Sequence, residues 1–386
     1  MLEKAFRGSR RYWTWIAFLL LVILGGLSAY MVQLRDGLGV TGMSRDVSWG
    51  LYIAQFTFLV GVAASAVMVV LPYYLHDYKL FSKITILGEF LAIPSVIMCM
   101  LFIFVDMGQP QRVLNVILHP TTNSVMFWDF MVLSGYLLLN VLISQVTFVA
   151  EKRQASPPRW IRPIIILSIP WAISIHTVTA FLYSGLEGRP FWMTALMAPR
   201  FLASAFAAGP SLLILLCLFV RKVSRFDPGL EAIRKVAIIV TYAMAASVFF
   251  VIVELFTAIY SDMPEHLHHF QYLFAGLHGH TGLVFWGWGS IIVSVVALVA
   301  LLVPRVRNNP VSLAVACVAV ILGLWMEKGF SLIVAGFVPN PMGHVTEYSP
   351  TSIEVMITLG VYGIGALVLT ALYKIAIAVR ESLKAA

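Results

Sequence analysis

The chain returns ten times to an apolar run of about 20 residues or more, with only short polar stretches between one run and the next. That length is what an α-helix needs to cross a hydrocarbon core. The runs fall at 13–34, 49–75, 84–106, 125–149, 161–185, 200–220, 235–260, 277–303, 311–337 and 353–378. Backbone in lipid must satisfy its own N–H and C=O groups, so runs this long predict helices. The sixth is the most broken, with Arg200, Gly209 and Pro210 inside it. Charged residues make up 11% of the 386 positions and hydrophobic ones 60%, whereas a soluble domain is about 25% charged. The predicted fold class is therefore all-α integral membrane, a single multi-pass domain of ten transmembrane helices in a lipid bilayer.

Charge sets the expected orientation. Lys4, Arg7, Arg10 and Arg11 precede the first run, and later basic groups at Lys79 and Lys83, 152–162, 221–235, 305–307 and 374–384 fall on the same side. Twenty of the 26 Lys and Arg lie there, against Arg35, Arg45, Arg112, Arg189 and Arg200 on the other side. Under the positive-inside rule both termini are cytoplasmic, in the cytoplasmic membrane. The net charge of +8 is dispersed over these short loops and not gathered in a basic tail, so nucleic-acid binding is not expected. Arg10-Arg11 resembles an export signal, but the apolar run behind it exceeds a cleavable h-region of roughly 7–15 residues. It is expected to stay as the first span. Cys99, Cys217 and Cys317 all sit inside apolar runs with no C-x-x-C spacing. Iron–sulfur clusters and attached haem need thiolates so spaced, so neither is expected in this chain.

An ionisable group at membrane depth is costly and marks function by default. His176 lies about nine residues from the outer end of the fifth run, roughly 13 Å in at 1.5 Å per residue. Glu254 lies about two turns below the outer end of the seventh run. Asp106 closes the third, Asp129 is one turn inside the fourth, and Arg200 opens the sixth. Glu327 and Lys328 fall in the outer half of the ninth, beside Trp325. Glu89, near the inner end of the third, is the exception to this outer grouping. Asp106 and Asp129 could be interfacial carboxylates or caps, and Glu327 with Lys328 a structural ion pair. Glu89 could reach back to the inner interface or form the inner mouth of a proton path. His176 and Glu254 have no adjacent counter-charge, and function is the preferred reading for both.

A histidine and carboxylates suit proton exchange with a quinone headgroup. A secondary transporter or proton channel would use the same set, so that alternative stays open here. Haem b would need paired deep histidines, and only His176 is deep. His266, His268, His269, His278 and His280 fall in or beside an outer loop, where they read as solvated and not as metal ligands.

Six segments carry a resemblance that runs over nearly the whole chain. They are Ser48-Trp49-Gly50-Leu51-Tyr52-Ile53, Val105-Asp106-Met107-Gly108-Gln109-Pro110, Ser174-Ile175-His176-Thr177-Val178, Glu254-Leu255-Phe256-Thr257-Ala258, Leu324-Trp325-Met326-Glu327-Lys328 and Ser349-Pro350-Thr351-Ser352-Ile353-Glu354. On these the chain resembles the NrfD/PsrC family, membrane subunits of polysulfide-reductase-type complexes, and within it the ten-helix DsrP/HmcC-type branch. The resemblance implies two four-helix bundles, spans 2–5 and 6–9, flanked by spans 1 and 10. It implies a subunit without haem or iron–sulfur cluster that binds menaquinone or menaquinol near the outer surface. His176 and Glu254 would fall on the quinone-site positions, with Asp106, Trp325, Tyr183 and Arg200 nearby. Glu89, Asp129, Glu327 and Lys328 are the proton-transfer candidates. The implied partners are a ferredoxin-like iron–sulfur subunit on the periplasmic face, a multihaem cytochrome c, and a second membrane subunit with a cytoplasmic catalytic subunit. Such a complex, of the DsrMKJOP type, is linked to sulfite reduction. Shorter family members lack the C-terminal pair of helices present here.

Overall fold

The computed structural model describes residues 8–63, 66–76 and 78–385. Ten helices in it are long and apolar enough to cross a membrane: Arg10–Asp36, Leu51–Tyr74, Lys79–Asp106, Val125–Lys152, Ile161–Ser184, Met197–Val223, Leu230–Ser261, Val284–Leu302, Pro310–Ala335 and Ser352–Glu381. They are called spans 1 to 10. Among the described residues there is no strand, only an isolated bridge between Leu277 and His280.

Every predicted run is met by a helix, with ends moved by a few residues. Span 6 continues unbroken through Pro210 from Met197 to Val223, so its glycine and proline bend no gap into it. Span 8 departs most from expectation. It begins at Val284 and not at 277, because His278, Gly276 and Gly279 take positive φ angles and the Leu277–His280 bridge closes a turn first. The even number of crossings brings residue 8 and residue 385 to one face, which also carries most of the Lys and Arg. It is called the basic face, and the opposite one the histidine face. Lys4 and Arg7 of the predicted basic cluster lie outside the described residues.

The spans pack as two four-helix bundles. Spans 2 to 5 form one and spans 6 to 9 the other, while span 2 sits at the junction against spans 3, 6 and 9. Span 2 is the most enclosed of the ten and span 1 the barest, since span 1 rests almost entirely on span 10. Span 10 in turn packs on span 3. Spans 1 and 10 cross where Gly26 meets Gly360, and a Cβ on Gly360 would fall 2.7 Å from the Gly26 Cα. Small residues let membrane helices approach to backbone contact, which replaces the hydrophobic drive that lipid cannot supply. Hydroxyls inside the spans mostly return to a carbonyl one turn back: Thr57 to Ile53, Thr85 to Phe81, Ser95 to Leu91 and Ser211 to Ala207. That is the cheapest partner for a hydroxyl in lipid.

Two local departures from regular helix shape the histidine side of the second bundle. Trp325–Ser331 in span 9 is π-helical, a rare form that re-aims side chains and recurs at functional sites. A short helix, Pro264–Phe274, lies between spans 7 and 8 and is bounded by Asp262 at φ 48° and Gly276 at φ 87°.

Candidate functional site

Arg200, Glu254 and Glu327 come together from spans 6, 7 and 9. The Arg200 guanidinium ion-pairs with both carboxylates, and its Nε donates to Glu327 Oε1 at 2.9 Å. Each of the three residues is buried. The sequence places Arg200 in the first turn of span 6, Glu254 two turns before the end of span 7 and Glu327 in the π segment. All three therefore reach one depth beneath the histidine face. One oxygen of each acid, Glu254 Oε1 and Glu327 Oε2, is buried without a hydrogen-bond partner. Buried polar atoms are nearly always paired, so two orphans at one charged cluster make it a candidate ligand site.

An apolar groove of about 490 Å³ leads to this cluster between spans 7 and 8. Met244, Val251, Leu255, Phe270 and Leu324 line it, and Glu327 is its one charged lining group. Its lip includes Ile252, Ile259 and Trp288, which are exposed on the outer surface of the bundle where lipid would lie. A second cavity of about 20 Å³ adjoins it and is lined by Arg200, Glu254, Glu327 and Ser331. Val251, Leu255, Phe270, Phe274, Ser290 and Ile291 belong to both walls, so they form the throat between groove and ion cluster. Phe270 and Phe274 come from the short helix. That helix is pinned by His269, whose Nδ1 lies 2.7 Å from Ala335 O and 2.9 Å from Val338 O, and by Trp288 Nε1 donating to Phe274 O at 2.8 Å. Two carbonyl partners require Nδ1 to carry the proton. Burial holds the His269 ring's pKa well below the ordinary histidine value, at about 4. The expectation of a solvated loop histidine is thus corrected at His269: it is buried on a helix, because the segment is amphipathic and its Leu267, Phe270 and Phe274 turn inward.

The other predicted residues occupy separate places. Lys328 follows Glu327 but points the opposite way, where its Nζ donates to Phe201 O at 3.3 Å and lies 4.2 Å above the Phe201 ring. Gly61 of span 2 faces the same ammonium. His176 is wholly buried in span 5 and neither ring nitrogen has a partner, while Lys328 is the charge that acts on it. Tyr183, two turns further along, shares a 2.5 Å hydrogen bond with Thr57 and packs on Trp49, Trp192 and Phe201. Asp129 is buried and accepts from Thr179 Oγ1 at 2.6 Å. Trp325 points away from the ion cluster, with its Nε1 donating to Gln55 Oε1 at 2.9 Å, an atom that also accepts from Tyr362 at 2.6 Å. Asp106 has a buried, unpartnered Oδ1 at the end of span 3, in the neighbourhood of Glu354. Glu354 itself accepts from Tyr348 Oη at 2.6 Å, Gly42 N at 2.7 Å and Thr351 N at 2.8 Å.

Glu89 is 2% exposed, so it does not reach back to solvent. Thr147 Oγ1 lies 3.5 Å from its Oε2 and its Oε1 has no partner. It looks into a cavity of about 400 Å³ at the basic face, lined also by Tyr73, Tyr74, Lys83, Glu151 and Arg380. Arg380 braces that cavity, donating to Glu151 Oε1 at 2.7 Å and Lys83 O at 2.5 Å.

Of the ten predicted residues, Arg200, Glu254 and Glu327 meet at one cluster, with Lys328 on its far side. Sequence reasoning missed Ser331 and the short helix. The spacing of Leu267, Phe270 and Phe274 carried a helical signal that the flanking histidines and acids obscured. No group of three or more His, Cys, Asp or Glu with metal-binding geometry occurs among the described residues.

Comparison with known proteins bears on this arrangement. The chain is 27% identical to a putative dimethyl sulfoxide reductase membrane protein of Halobacterium salinarum, over 92% of this chain and 89% of that one. It is 24% identical to an Hdr-like menaquinol oxidoreductase integral membrane subunit of Archaeoglobus fulgidus, over 74% and 70%. It is 22% identical to a menaquinone reductase integral membrane subunit of Nitratidesulfovibrio vulgaris, over 94% and 91%. The fold is similar to the solved bd oxidase of Geobacillus thermodenitrificans, with a TM-score of 0.55, 10% identity, and 94% of this chain and 98% of that chain covered. Residues 39–339 match the family described as polysulphide reductase, NrfD, and so this chain, a multi-pass integral membrane protein, belongs to that family.

Proposed function

We propose that the protein is the quinone-exchanging membrane subunit of a multi-subunit respiratory redox complex, with both termini in the cytoplasm and the histidine face outside. The observation that carries this reading is the continuity between a lipid-facing apolar groove and a buried cluster with two unpaired carboxylate oxygens. Along span 7 the groove lining runs from Met244 to Ile259, about 22 Å at 1.5 Å per residue. An isoprenoid tail suits a trough of that length and character. A ring oxygen would meet Glu254 and Glu327, which take or return protons as the ring changes redox state. Arg200 holds both acids in register and supplies positive charge opposite developing negative charge on the ring. The cavity at the cluster is about one water molecule in size, so seating a ring requires Phe270 and Phe274 to swing out with the short helix.

Electrons pass to or from a ferredoxin-like iron–sulfur partner on the histidine face. Two relatives named for menaquinol or menaquinone support menaquinone as the ligand. The sulfite-linked setting, with a multihaem cytochrome c and a second membrane subunit bearing a cytoplasmic catalytic subunit, rests on the resemblance of the six sequence segments. The dimethyl sulfoxide reductase relative, at higher identity, favours a second setting in which the catalytic subunit reduces a small oxidised substrate. Lys328, His176 and Asp129 are buried beneath the histidine face and Glu89 looks into the basic-face cavity, and this placement of ionisable groups at both depths supports proton movement through the first bundle. His176 and Tyr183 serve that movement in this reading.

The test is ligand binding to the full chain in detergent. 2-Heptyl-4-hydroxyquinoline N-oxide should quench tryptophan fluorescence through Trp288 at the groove lip, and Glu254→Gln should weaken that binding about tenfold or more. Absence of quinone-analogue binding, together with solute movement across liposomes carrying the protein, would overturn the reading in favour of a transporter.

A further inference from the structure

The cavity beside the ion cluster contains a hydroxyl that the acid–base scheme leaves unused. Ser331 closes the π-helical segment, is 2% exposed, lines the cavity and has no hydrogen-bond partner for its Oγ. Ser290, on the same wall, behaves as most other span hydroxyls do and donates to Gly287 O at 2.7 Å. Ser134, Ser144, Ser294 and Thr358 also hold buried, unpartnered hydroxyls, but of these five Ser331 is the one that lines the cavity with Arg200, Glu254 and Glu327, and an unpaired hydroxyl in low dielectric is costly. In a segment bonded i to i+5, the fourth residue after Glu327 returns to nearly the same side, one turn along the axis. Both side chains accordingly face one cavity, from opposite ends of a single turn.

The chemistry of the two partners is complementary. An ionised carboxylate only accepts hydrogen bonds, so it serves a ring hydroxyl and not a ring carbonyl. A serine hydroxyl donates to a carbonyl and accepts from a hydroxyl, so it can hold one oxygen in either redox state without gaining or losing a proton. We propose that Ser331 Oγ anchors the second oxygen of a 1,4-dioxygenated aromatic ring whose first oxygen is engaged by Glu254 and Glu327. This rests on the quinone reading of the groove, and it narrows the ligand to rings with oxygens on opposite sides. Ser331 is then a binding group that fixes ring orientation.

The experiment measures binding of two probes to the full chain under anaerobic conditions: 2-methyl-1,4-naphthoquinol, and 2-methyl-1-naphthol, which carries a single oxygen for the acids. Ser331→Ala should weaken the quinol about three- to tenfold, the value of one hydrogen bond, and the naphthol by less than about twofold. Ser331→Thr, which keeps the hydroxyl, should restore quinol affinity. Equal weakening of both probes would mean that only cavity shape had changed, and would overturn the hydrogen bond. An unchanged quinol affinity in Ser331→Ala, with weakening in Glu327→Gln, would remove Ser331 from the site and leave the quinone reading standing. If neither substitution alters quinol binding, the quinone reading of the groove falls, and the Ser331 assignment with it.

Discussion

Replacing Arg200 with methionine is the sharpest test of the ion cluster. The guanidinium sits between two buried carboxylates, with Nε 2.9 Å from Glu327 Oε1 and a second ion pair to Glu254. At that distance and an effective dielectric of about 20, one pair is worth roughly 6 kcal/mol of Coulomb attraction before desolvation is subtracted. Desolvation cancels much of it, and removal of one partner from a buried pair costs about 3–5 kcal/mol in practice. Methionine fills the space but takes the paired cation from both acids and leaves the buried set, with Lys328, at a net −1, so the cost should fall in that range. The quadruple variant Arg200→Met, Glu254→Gln, Glu327→Gln, Lys328→Met removes every charge of the buried set and should recover most of the stability. It should not recover quinone binding, because the acids that meet the ring are gone. The assay is denaturant unfolding in mixed micelles followed by tryptophan fluorescence, with quinone-analogue binding in parallel. A loss of less than about 1 kcal/mol in Arg200→Met would mean that water reaches the cluster, and the argument from buried, unpaired oxygens would collapse.

Three further outcomes follow from the same structure. Glu89→Gln should leave quinone-analogue affinity within about twofold, since Glu89 faces the opposite cavity, yet slow proton exchange with the basic face during turnover by about tenfold or more; a pH-electrode trace on proteoliposomes decides it. Glu354→Ala strips a partner from Gly42 N, Thr351 N and Tyr348 Oη and should cost about 3 kcal/mol without weakening quinone binding, as thermal and binding measurements on one preparation would show. Attachment of the short helix should weaken in acid. His269 has a folded pKa of about 4 against about 6.5 when the helix detaches, so the detached form binds more protons between those values. Stability of the docked helix is complete above pH 6.5 and falls by about 1.4 kcal/mol per unit down to pH 4. Hydrogen exchange over Pro264–Phe274, corrected for intrinsic rate, should rise accordingly, and a flat profile would show that His269 is not what pins the helix.

The ten spans were legible because membrane helices announce themselves by length and apolarity alone. Span ends were less so, and the eighth shows why: residues 277–283 carry no Lys, Arg, Asp or Glu to mark an end to the run, but a turn with positive φ at Gly276, His278 and Gly279 intervenes. Depth of the ionisable groups was legible too, since residue number within a helix gives depth at 1.5 Å per residue. Azimuth was not. Glu254 and Glu327 face each other across Arg200, whereas His176 at a similar depth turns into the first bundle. Helical phase cannot be read when a span is apolar all round, and a π segment shifts it again in span 9. Lys328 and Glu327 were anticipated as an ion pair with a neighbouring helix; for Glu327 that partner is Arg200, while Lys328 finds a carbonyl and a ring.

That division between Glu327 and Lys328 links the two bundles. Adjacent residues of opposite charge point to opposite sides of one π-helical turn, Glu327 to the groove and Lys328 to span 2 and Phe201. Arg200 and Lys328 together balance Glu254 and Glu327, so the four buried groups are neutral as a set when all are ionised. Protonation of either acid by a ring hydroxyl leaves the set at +1 in a low-dielectric interior, where excess charge is expensive. The nearest means of relief is loss of a proton from Lys328 toward the side where His176 waits with two unpaired nitrogens. In the quinone reading proposed above, this charge balance favours proton flow away from the groove and into the first bundle when a quinol is oxidised. Lys328→Met should uncouple the two: with Arg200 alone against both acids, a proton taken from the ring brings the set from −1 to neutral, and no excess charge drives a proton on toward His176. Quinol-dependent proton movement in proteoliposomes should fall about tenfold or more while quinone-analogue affinity stays within about twofold. Unchanged proton movement would show that Lys328 and the groove acids do not share one charge balance.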